Sequence, residues 1–116
     1  MHHHLAGSGN LGQTIKRNFP VAIANQIGCG DVIPTEVVGP LCTPLDTLAR
    51  NAMLPSTTAG DIFCVFQSGA YARTSSPHDF LSHPPPAEVI IADGIPQVVR
   101  RRGRASDLLV DQIDSG

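Results

Sequence analysis

The side chain best placed for nucleophilic or proton-transfer chemistry in this sequence is the thiol of Cys42. It lies in the segment GPLCTPLD, where Gly39 and Pro40 precede it and Pro44 follows it. Prolines on both sides stiffen the backbone, so such a turn can hold one side chain in a fixed position. The alternative is a buried and inert cysteine, which is the common state of this residue. The local sequence slightly favours the thiol that points into a site.

The single tyrosine, Tyr71, is a second candidate. It follows Gly69 and Ala70, which are small residues that let a ligand approach the backbone closely. A phenol at this place can donate a hydrogen bond to a phosphate. The alternative is a tyrosine in the core with its hydroxyl capped, and the neighbouring residues leave both interpretations open.

The histidines give no comparable signal. His78 and His83 lie on either side of Phe80 in a polar loop, where histidines are usually exposed to solvent. No carboxylate or cysteine lies at ligand spacing from them, so we predict no metal site there. The lack of a CxxC pair argues against a zinc ribbon. The residues His2, His3 and His4 after Met1 resemble a truncated affinity tag on composition alone.

Bulk composition sets the limits of the function. A chain of 116 residues with a net charge of −2 is most simply one domain with no nucleic-acid or membrane partner. The basic run at residues 100–104 is short and typical of a solvated face. No secretory segment or apolar run of membrane-spanning length occurs, and the odd number of cysteines, three, fits a reducing cytoplasm.

The elements that must position these residues are mostly strands. Apolar and β-branched runs predict strands at Phe19–Ala24, Thr35–Gly39, Asp61–Gln67, Ala87–Gly94 and from Ile95 onward. The run at Asp61–Gln67 suggests burial on both faces. Helical turns are predicted at residues 13–18, after Asp46 as an N-cap up to Pro55, and near Ser106 or Asp107. With about six strands, the fold class is mainly β with short helices, a β-barrel or sandwich.

Three segments carry a resemblance: VVGPLCTPLD, GDIFCVFQSGAYARTSSPHDFLSHPPPAEVII and VVRRRGRASDLL. They resemble the C-terminal β-domain of pyridoxal-phosphate decarboxylases of the diaminopimelate and ornithine type. The implied fold is a Greek-key barrel or sandwich like that of alanine racemase. The most similar branch is associated with exosortase gene clusters and resembles decarboxylases of carrier-bound amino acids. Members of this branch have a stretch like HHHLAGSGNLGQTIKRNFPV directly after their barrel domain, so the resemblance favours native histidines at the front.

The resemblance implies a division of roles and of the chain. Residues 1–18 would be a linker after a missing TIM barrel, and 19–116 the β-domain. Tyr71, with Gly69 and Ala70, would contact the phosphate of pyridoxal 5′-phosphate. Cys42 would act in a proton step at the active site of a partner subunit in a homodimer. Phe80 would lie near the active-site entrance at the subunit interface.

Two departures from the family pattern affect the expected function. An acidic residue usually follows the cysteine and helps to bind a distal amine, whereas in this sequence Thr43 follows it and Asp46 comes three positions later. By the resemblance, Thr43 and Asp46 would contact the substrate or the subunit interface. This departure argues against a distal amine on the substrate. The resemblance implies an amino-acid substrate that can be carrier-bound. The barrel that supplies the cofactor-binding lysine is absent, and Lys16 lies in a polar segment unsuited to that role. The chain by itself is expected to be inactive and to bind no cofactor covalently.

Two functions therefore remain open. The first is a C-terminal domain of a pyridoxal-phosphate-dependent decarboxylase that supplies active-site residues across a dimer interface. The second is a binding or assembly module without catalysis, which would pair with a separate barrel or with itself through an exposed apolar surface.

Overall fold

The computed structural model describes residues 11–78 and 80–113. The strands are β1 (Val21–Ile23), β2 (Val32–Val38), β3 (Thr47–Pro55), β4 (Phe63–Val65), β5 (Glu88–Ala92) and β6 (Ile95–Arg100). They pair antiparallel as β1 with β4, β2 with β3, and β5 with β6. Residues 11–14 are α-helical, and short 3₁₀ helices occur at Ala24–Gln26, Phe80–Ser82 and Ala105–Leu109. The predicted mainly-β class is confirmed, whereas no closed barrel forms among the residues described.

The chain divides between Pro77 and His78 into two compact units. The first unit contains β1 to β4 and a small apolar core. The buried members of that core are Ile23, Val37, Leu48, Ala49, Ala52 and Leu54, with Val21 and Phe63 packed against them. Because β3 supplies four of these residues, it is the central strand of the unit.

Strand β3 replaces the helix that the sequence predicts after Asp46, and that prediction is wrong. Thr47 pairs with Val38 and Pro55 with Val32 across the β2–β3 ladder. The misleading signal comes from an irregular register: Asn51 has φ of 48° and its N–H donates to the Glu36 carboxylate at 3.0 Å. This bulge breaks the alternation of apolar residues that marks a strand. Burial of side chains on both sides of the bulge then decides in favour of the sheet.

Strand β4 is shorter and less buried than the sequence predicts. The apolar run at 61–67 suggested burial on both faces, but only Phe63–Val65 pair with β1. Ile62 is 60% exposed and Phe66 is 45% exposed. The apolar side chains at the two ends of this run are therefore only partly covered by the other described residues.

The second unit is built on the β5–β6 hairpin, which the sequence predicts correctly. Asp93 and Gly94 connect the strands with φ of 51° and 77°, the left-handed pair that a tight hairpin turn requires. The proline segment precedes β5, and the Pro85 carbonyl accepts the N–H of Gly103 at 2.9 Å. A Cβ at Gly103 would overlap the Pro85 ring, so glycine is needed there.

The helix predicted at the end of the chain is a 3₁₀ helix, with Arg104 rather than Ser106 or Asp107 at its N-cap. The Asp107 carboxylate accepts the N–H of Arg104 at 2.9 Å and pairs with both terminal nitrogens of Arg101, at 2.7 and 2.8 Å. These contacts, the Arg101 hydrogen bond first, lower the pKa of Asp107 to about 2. The carboxylate thus ties the end of β6 to the segment that follows it.

In the first unit, Asp61 joins two loops through its carboxylate. Its oxygens accept hydrogen bonds from Asn25 at 2.6 Å, from Gln26 at 2.8 Å and from the backbone N–H of Thr58 at 2.7 Å. These bonds, led by the one from Thr58, lower the pKa of Asp61. Hydrogen bonds to the ionised form are the cause, because they favour the charged carboxylate.

We expect Asp61→Asn to lower the melting temperature at neutral pH, since an amide offers one acceptor oxygen in place of two. A group whose folded pKa is depressed contributes stability above its unfolded pKa, near 4, and loses it as pH falls through the folded value. Thermal unfolding from pH 7 to pH 2 should therefore show the variant and the parent converging in acid. Asp31→Asn is the matched control, because the carboxylate of Asp31 is exposed. Parallel curves for parent and Asp61→Asn over the whole pH range would contradict the assignment.

Candidate active-site turn

The Cys42 turn, residues 39–46, connects β2 to β3. Its ends are closed by a 2.7 Å hydrogen bond from the Gly39 N–H to the Asp46 carbonyl. Within it, the Asp46 N–H donates to the Thr43 carbonyl at 3.1 Å, and the Leu45 N–H donates to the Thr43 hydroxyl at 3.3 Å. The turn therefore has an internal hydrogen-bond framework in addition to its two prolines.

A buried carboxylate organises this turn. Asp46 is only 2% exposed, and its Oδ2 accepts the backbone N–H of Leu41 at 3.0 Å. The predicted role of Asp46 as a helix cap is wrong, because a strand follows it and its carboxylate bonds backwards to Leu41. Its Oδ1 atom is buried and has no hydrogen-bond partner among the residues described. Its proposed contact with substrate or subunit interface stays a prediction.

Gly39 is essential to the geometry of the turn. A Cβ added at this position would overlap the carboxylate of Asp46. The backbone of residue 39 thus lies directly against a buried charged group, where only glycine leaves enough room. Glycine at position 39 is therefore needed for lack of space, in addition to the role of the Gly-Pro pair in shaping the turn.

The thiol of Cys42 is exposed and free. Exposure removes the alternative of a buried and inert cysteine and leaves the thiol accessible to a ligand. Thr43, the next residue, is half-buried and bonds within the turn. The exposed side of the turn therefore presents a thiol without an accompanying carboxylate from Asp46, whose side chain faces inward. The catalytic role of Cys42 stays a prediction.

The second group of predicted residues lies on the Tyr71 loop, residues 67–76, which follows β4. Two hydrogen bonds shape it: the Ala72 N–H donates to the Ser68 carbonyl, and the Ser75 N–H donates to that of Tyr71, both at 3.0 Å. Tyr71 is 56% exposed, which excludes a capped core tyrosine. No atom lies within 4 Å of a Cβ built on Gly69. Open space beside an exposed phenol fits a phosphate contact.

The structure thus places the predicted residues in three places. Cys42, Thr43 and Asp46 share one turn of the first unit, and Gly69, Ala70 and Tyr71 share one loop of it. Phe80 belongs to the second unit, in the 3₁₀ helix Phe80–Ser82, and is 41% exposed. Among the described residues, no group of three or more metal-ligating side chains occurs. His2, His3 and His4 lie outside the residues described.

Sequence reasoning missed a cavity of about 560 Å³ in the first unit. The side chains that line it are those of Gln13, Lys16, Arg17, Asn18, Arg50 and Asn51. Its two segments are more than thirty positions apart and are joined through Asn18. No local pattern in the sequence signals such a pairing.

The family described as "Pyridoxal-dependent decarboxylase, C-terminal sheet domain" matches residues 3–69. The chain belongs to this family.

Two curated relatives show the range of similarity. One is an L-glutamyl-[BtrI acyl-carrier protein] decarboxylase of Niallia circulans, 36% identical over 118 aligned residues that cover 99% of this chain and 27% of the relative. Another is a diaminopimelate decarboxylase of Methanothermobacter thermautotrophicus, 39% identical over 66% of this chain and 18% of the relative. The chain spans about a quarter or less of the length of these relatives.

Solved structures agree on the fold. A diaminopimelate decarboxylase from Helicobacter pylori complexed with L-lysine matches with a TM-score of 0.69 and 23% identity, covering 89% of this chain and 25% of that protein. The protein AQ1208 of Aquifex aeolicus matches with a TM-score of 0.71 and 16% identity, covering 89% and 25%. In the part of this chain that the structure describes, no helix has the length and apolar character needed to cross a bilayer.

Proposed function

We propose that this chain is the sheet domain of a pyridoxal-phosphate-dependent amino-acid decarboxylase, and that it completes an active site built mainly by a preceding TIM-barrel domain. The observation that carries the proposal is the combination of family membership with an exposed thiol at Cys42 and an exposed phenol at Tyr71. The domain would work in a homodimer, in which its cysteine serves the partner's site. The three free thiols fit a reducing, cytoplasmic location.

In this reaction the cofactor supplies an electron sink for loss of the carboxyl group. The residues of this chain would bind the phosphate and hold a proton. The Tyr71 hydroxyl would hold the cofactor by donating a hydrogen bond to its phosphate, and the open space at Gly69 would leave room for that group. The Cys42 thiol, fixed by the Asp46 carboxylate through the backbone of the turn, holds a proton for the carbon that loses the carboxyl group.

The favoured substrate is an amino acid attached to an acyl-carrier protein. The relative aligned over 99% of this chain is named for such a substrate. Recognition of a free diamino acid would need a carboxylate near the cysteine, but Thr43 occupies the next position and Asp46 is buried. A substrate without a distal ammonium group needs no carboxylate partner beside the cysteine.

A second candidate is a binding or assembly module without catalysis, and the exposed apolar side chains of the β5–β6 hairpin agree with it. Side chains on both faces of this hairpin are at least half exposed: Val89, Ile90, Ile91, Ile95, Val98 and Val99. An apolar surface of this kind marks an interaction site. A catalytic domain packed on its barrel and a self-associating module would both need such an apolar surface. Binding of pyridoxal phosphate is therefore the property that distinguishes the two functions.

We expect Tyr71→Phe in the complete protein to weaken pyridoxal-phosphate affinity by about 10- to 100-fold, the usual cost of a lost hydrogen bond to a charged group. The measurement is titration of the apoprotein with cofactor, followed by absorbance. Phenylalanine keeps the ring, so the melting temperature of the apoprotein should be unchanged.

The two ways of failing are distinct. A complete protein that binds no pyridoxal phosphate at all would overturn the decarboxylase and favour the assembly module. Equal affinities for parent and Tyr71→Phe would keep the enzyme and reject Tyr71 as its phosphate contact.

A further inference from the structure

The lysine and two arginines around the 560 Å³ cavity of the first unit form a cationic surface, which we call the basic cavity. Lys16, Arg17 and Arg50 are all exposed and line this one space with three side-chain amides. No acidic residue of the described part of the chain lines the space. Among the described residues, none of these three side chains forms an ion pair, whereas Arg100 and Arg101 of the second unit each have one.

Hydrogen bonds fix the two segments that carry the cations. The Asn18 amide donates to the carbonyl of Arg50 at 2.7 Å, and its oxygen accepts the Arg50 N–H at 3.1 Å. Gln13 in turn donates to the Asn18 oxygen at 3.3 Å. Asn18 thus joins β3 to the segment after the helix through two hydrogen bonds. Arg17 and Arg50 are held beside each other and line the same space.

The backbone on both sides supports this placement. Lys16 has φ of 55°, and the Arg17 N–H donates to the Gly12 carbonyl at 2.8 Å, so the helix ends abruptly and projects two cations. Glu36, an acidic side chain bonded to this region, uses its Oε1 to accept the Asn51 N–H at 3.0 Å and does not line the cavity. Positively charged side chains and amide donors are therefore held close together around the basic cavity.

We propose that the basic cavity binds the phosphodiester group of a carrier protein's pantetheine arm. Arginine and lysine are the residues that recognise phosphate, and arginine does so with paired N–H donors. Unpaired cations at a recognition surface also steer an anionic partner toward it. The proposal rests on the carrier-bound substrate under Proposed function and assigns the surface that would hold the carrier.

The position of the cavity along the strand agrees with this use. Arg50 is three residues from Thr47, the residue that follows the Cys42 turn, which is about 10 Å along β3. An extended pantetheine arm is longer than this interval. A phosphate held at Arg50 therefore leaves enough arm to bring the thioester end, with its amino acid, to the level of the Cys42 turn.

The test compares pantetheine 4′-phosphate, pantetheine and inorganic phosphate as ligands of the complete protein, by titration calorimetry at low salt. We expect the parent to bind the phosphorylated arm at least about tenfold more tightly than pantetheine. The double variant Arg17→Glu, Arg50→Glu should lose that difference. Arg102→Glu is the matched control, an exposed arginine of the second unit, and should retain it.

Each outcome has a meaning. No preference for the phosphorylated arm in the parent, or a preference that survives in the double variant, would overturn the assignment. Inorganic phosphate that binds as tightly as pantetheine 4′-phosphate would also overturn it, since the site would then take free anions. Cofactor affinity, measured separately, should be equal in parent and double variant, so failure of the decarboxylase proposal is seen independently of this test.

A kinetic readout completes the design. With a carrier-bound amino acid as substrate, the double variant should raise KM about tenfold or more and leave kcat near that of the parent, because the cavity binds without touching the reacting atoms. A fall in kcat with unchanged KM would contradict a docking role.

Discussion

Replacement of Gly39 by alanine is expected to destabilise the protein by about 1–3 kcal/mol, the usual cost of forcing an extra methyl group into a packed site. The new Cβ would overlap the carboxylate of Asp46. Asp46 cannot easily move away, because it is buried and bonded to Leu41 through Oδ2. Relief would break that bond or open the 2.7 Å closure between Gly39 and Asp46. Denaturant unfolding of the purified variant measures the change.

The control for this experiment is Gly69→Ala, the same substitution in the Tyr71 loop. No atom lies within 4 Å of the position its Cβ would take, so we expect a stability within about 0.5 kcal/mol of the parent. Equal stability of the two alanine variants would show that the turn relaxes around residue 39. The Asp46 carboxylate would then not be the group that fixes the turn.

The strands that follow a regular pattern could be predicted from the sequence. The β5–β6 hairpin has β-branched runs around an Asp-Gly pair, and both the strands and the turn lie where the pattern places them. Strand β3 could not be predicted because its bulge at Asn51 interrupts the alternation, and because its burial depends on β2 and β1. Long-range contacts of this kind override local propensity.

In the candidate site, residues with a local sequence signal could be singled out, whereas contacts that depend on the folded turn could not. Turn residues form recognisable local patterns. Cys42 between two prolines and Tyr71 after Gly-Ala could therefore be singled out from the sequence. The inward orientation of Asp46 could not be, because an aspartate before an apolar run also fits a helix cap. Its carboxylate is committed by a 3.0 Å bond to Leu41, which only the folded turn reveals.

The buried Asp46 also explains how an exposed turn can hold the Cys42 thiol in place. Loops are mobile unless backbone groups are satisfied internally. In this turn the N–H groups of Gly39 and Leu41 and the carbonyl of Thr43 are all bonded to Asp46. The thiol of Cys42 is therefore carried by a backbone with few alternatives, as proton transfer in a defined geometry requires.

If that thiol holds the proton for the reacting carbon, Cys42→Ala should lower kcat of the complete enzyme by about 10²- to 10⁴-fold, the usual contribution of a positioned acid or base. Cofactor affinity should stay within about twofold of the parent, close to the precision of such titrations, because the proposed phosphate contact is Tyr71 and not Cys42. The decisive comparison is the ratio of kcat values at saturating substrate.

Cys29→Ala provides the matched control for that ratio, since Cys29 is also exposed and free but lies in the loop before β2. It should retain the parent kcat. If Cys42→Ala also retained it, the rigid turn would have to serve substrate contact or subunit packing. If both variants lost activity equally, the effect would be a general one of thiol removal. Loss confined to Cys42→Ala is the result that the turn geometry predicts, because only that thiol is held by a buried carboxylate behind its backbone.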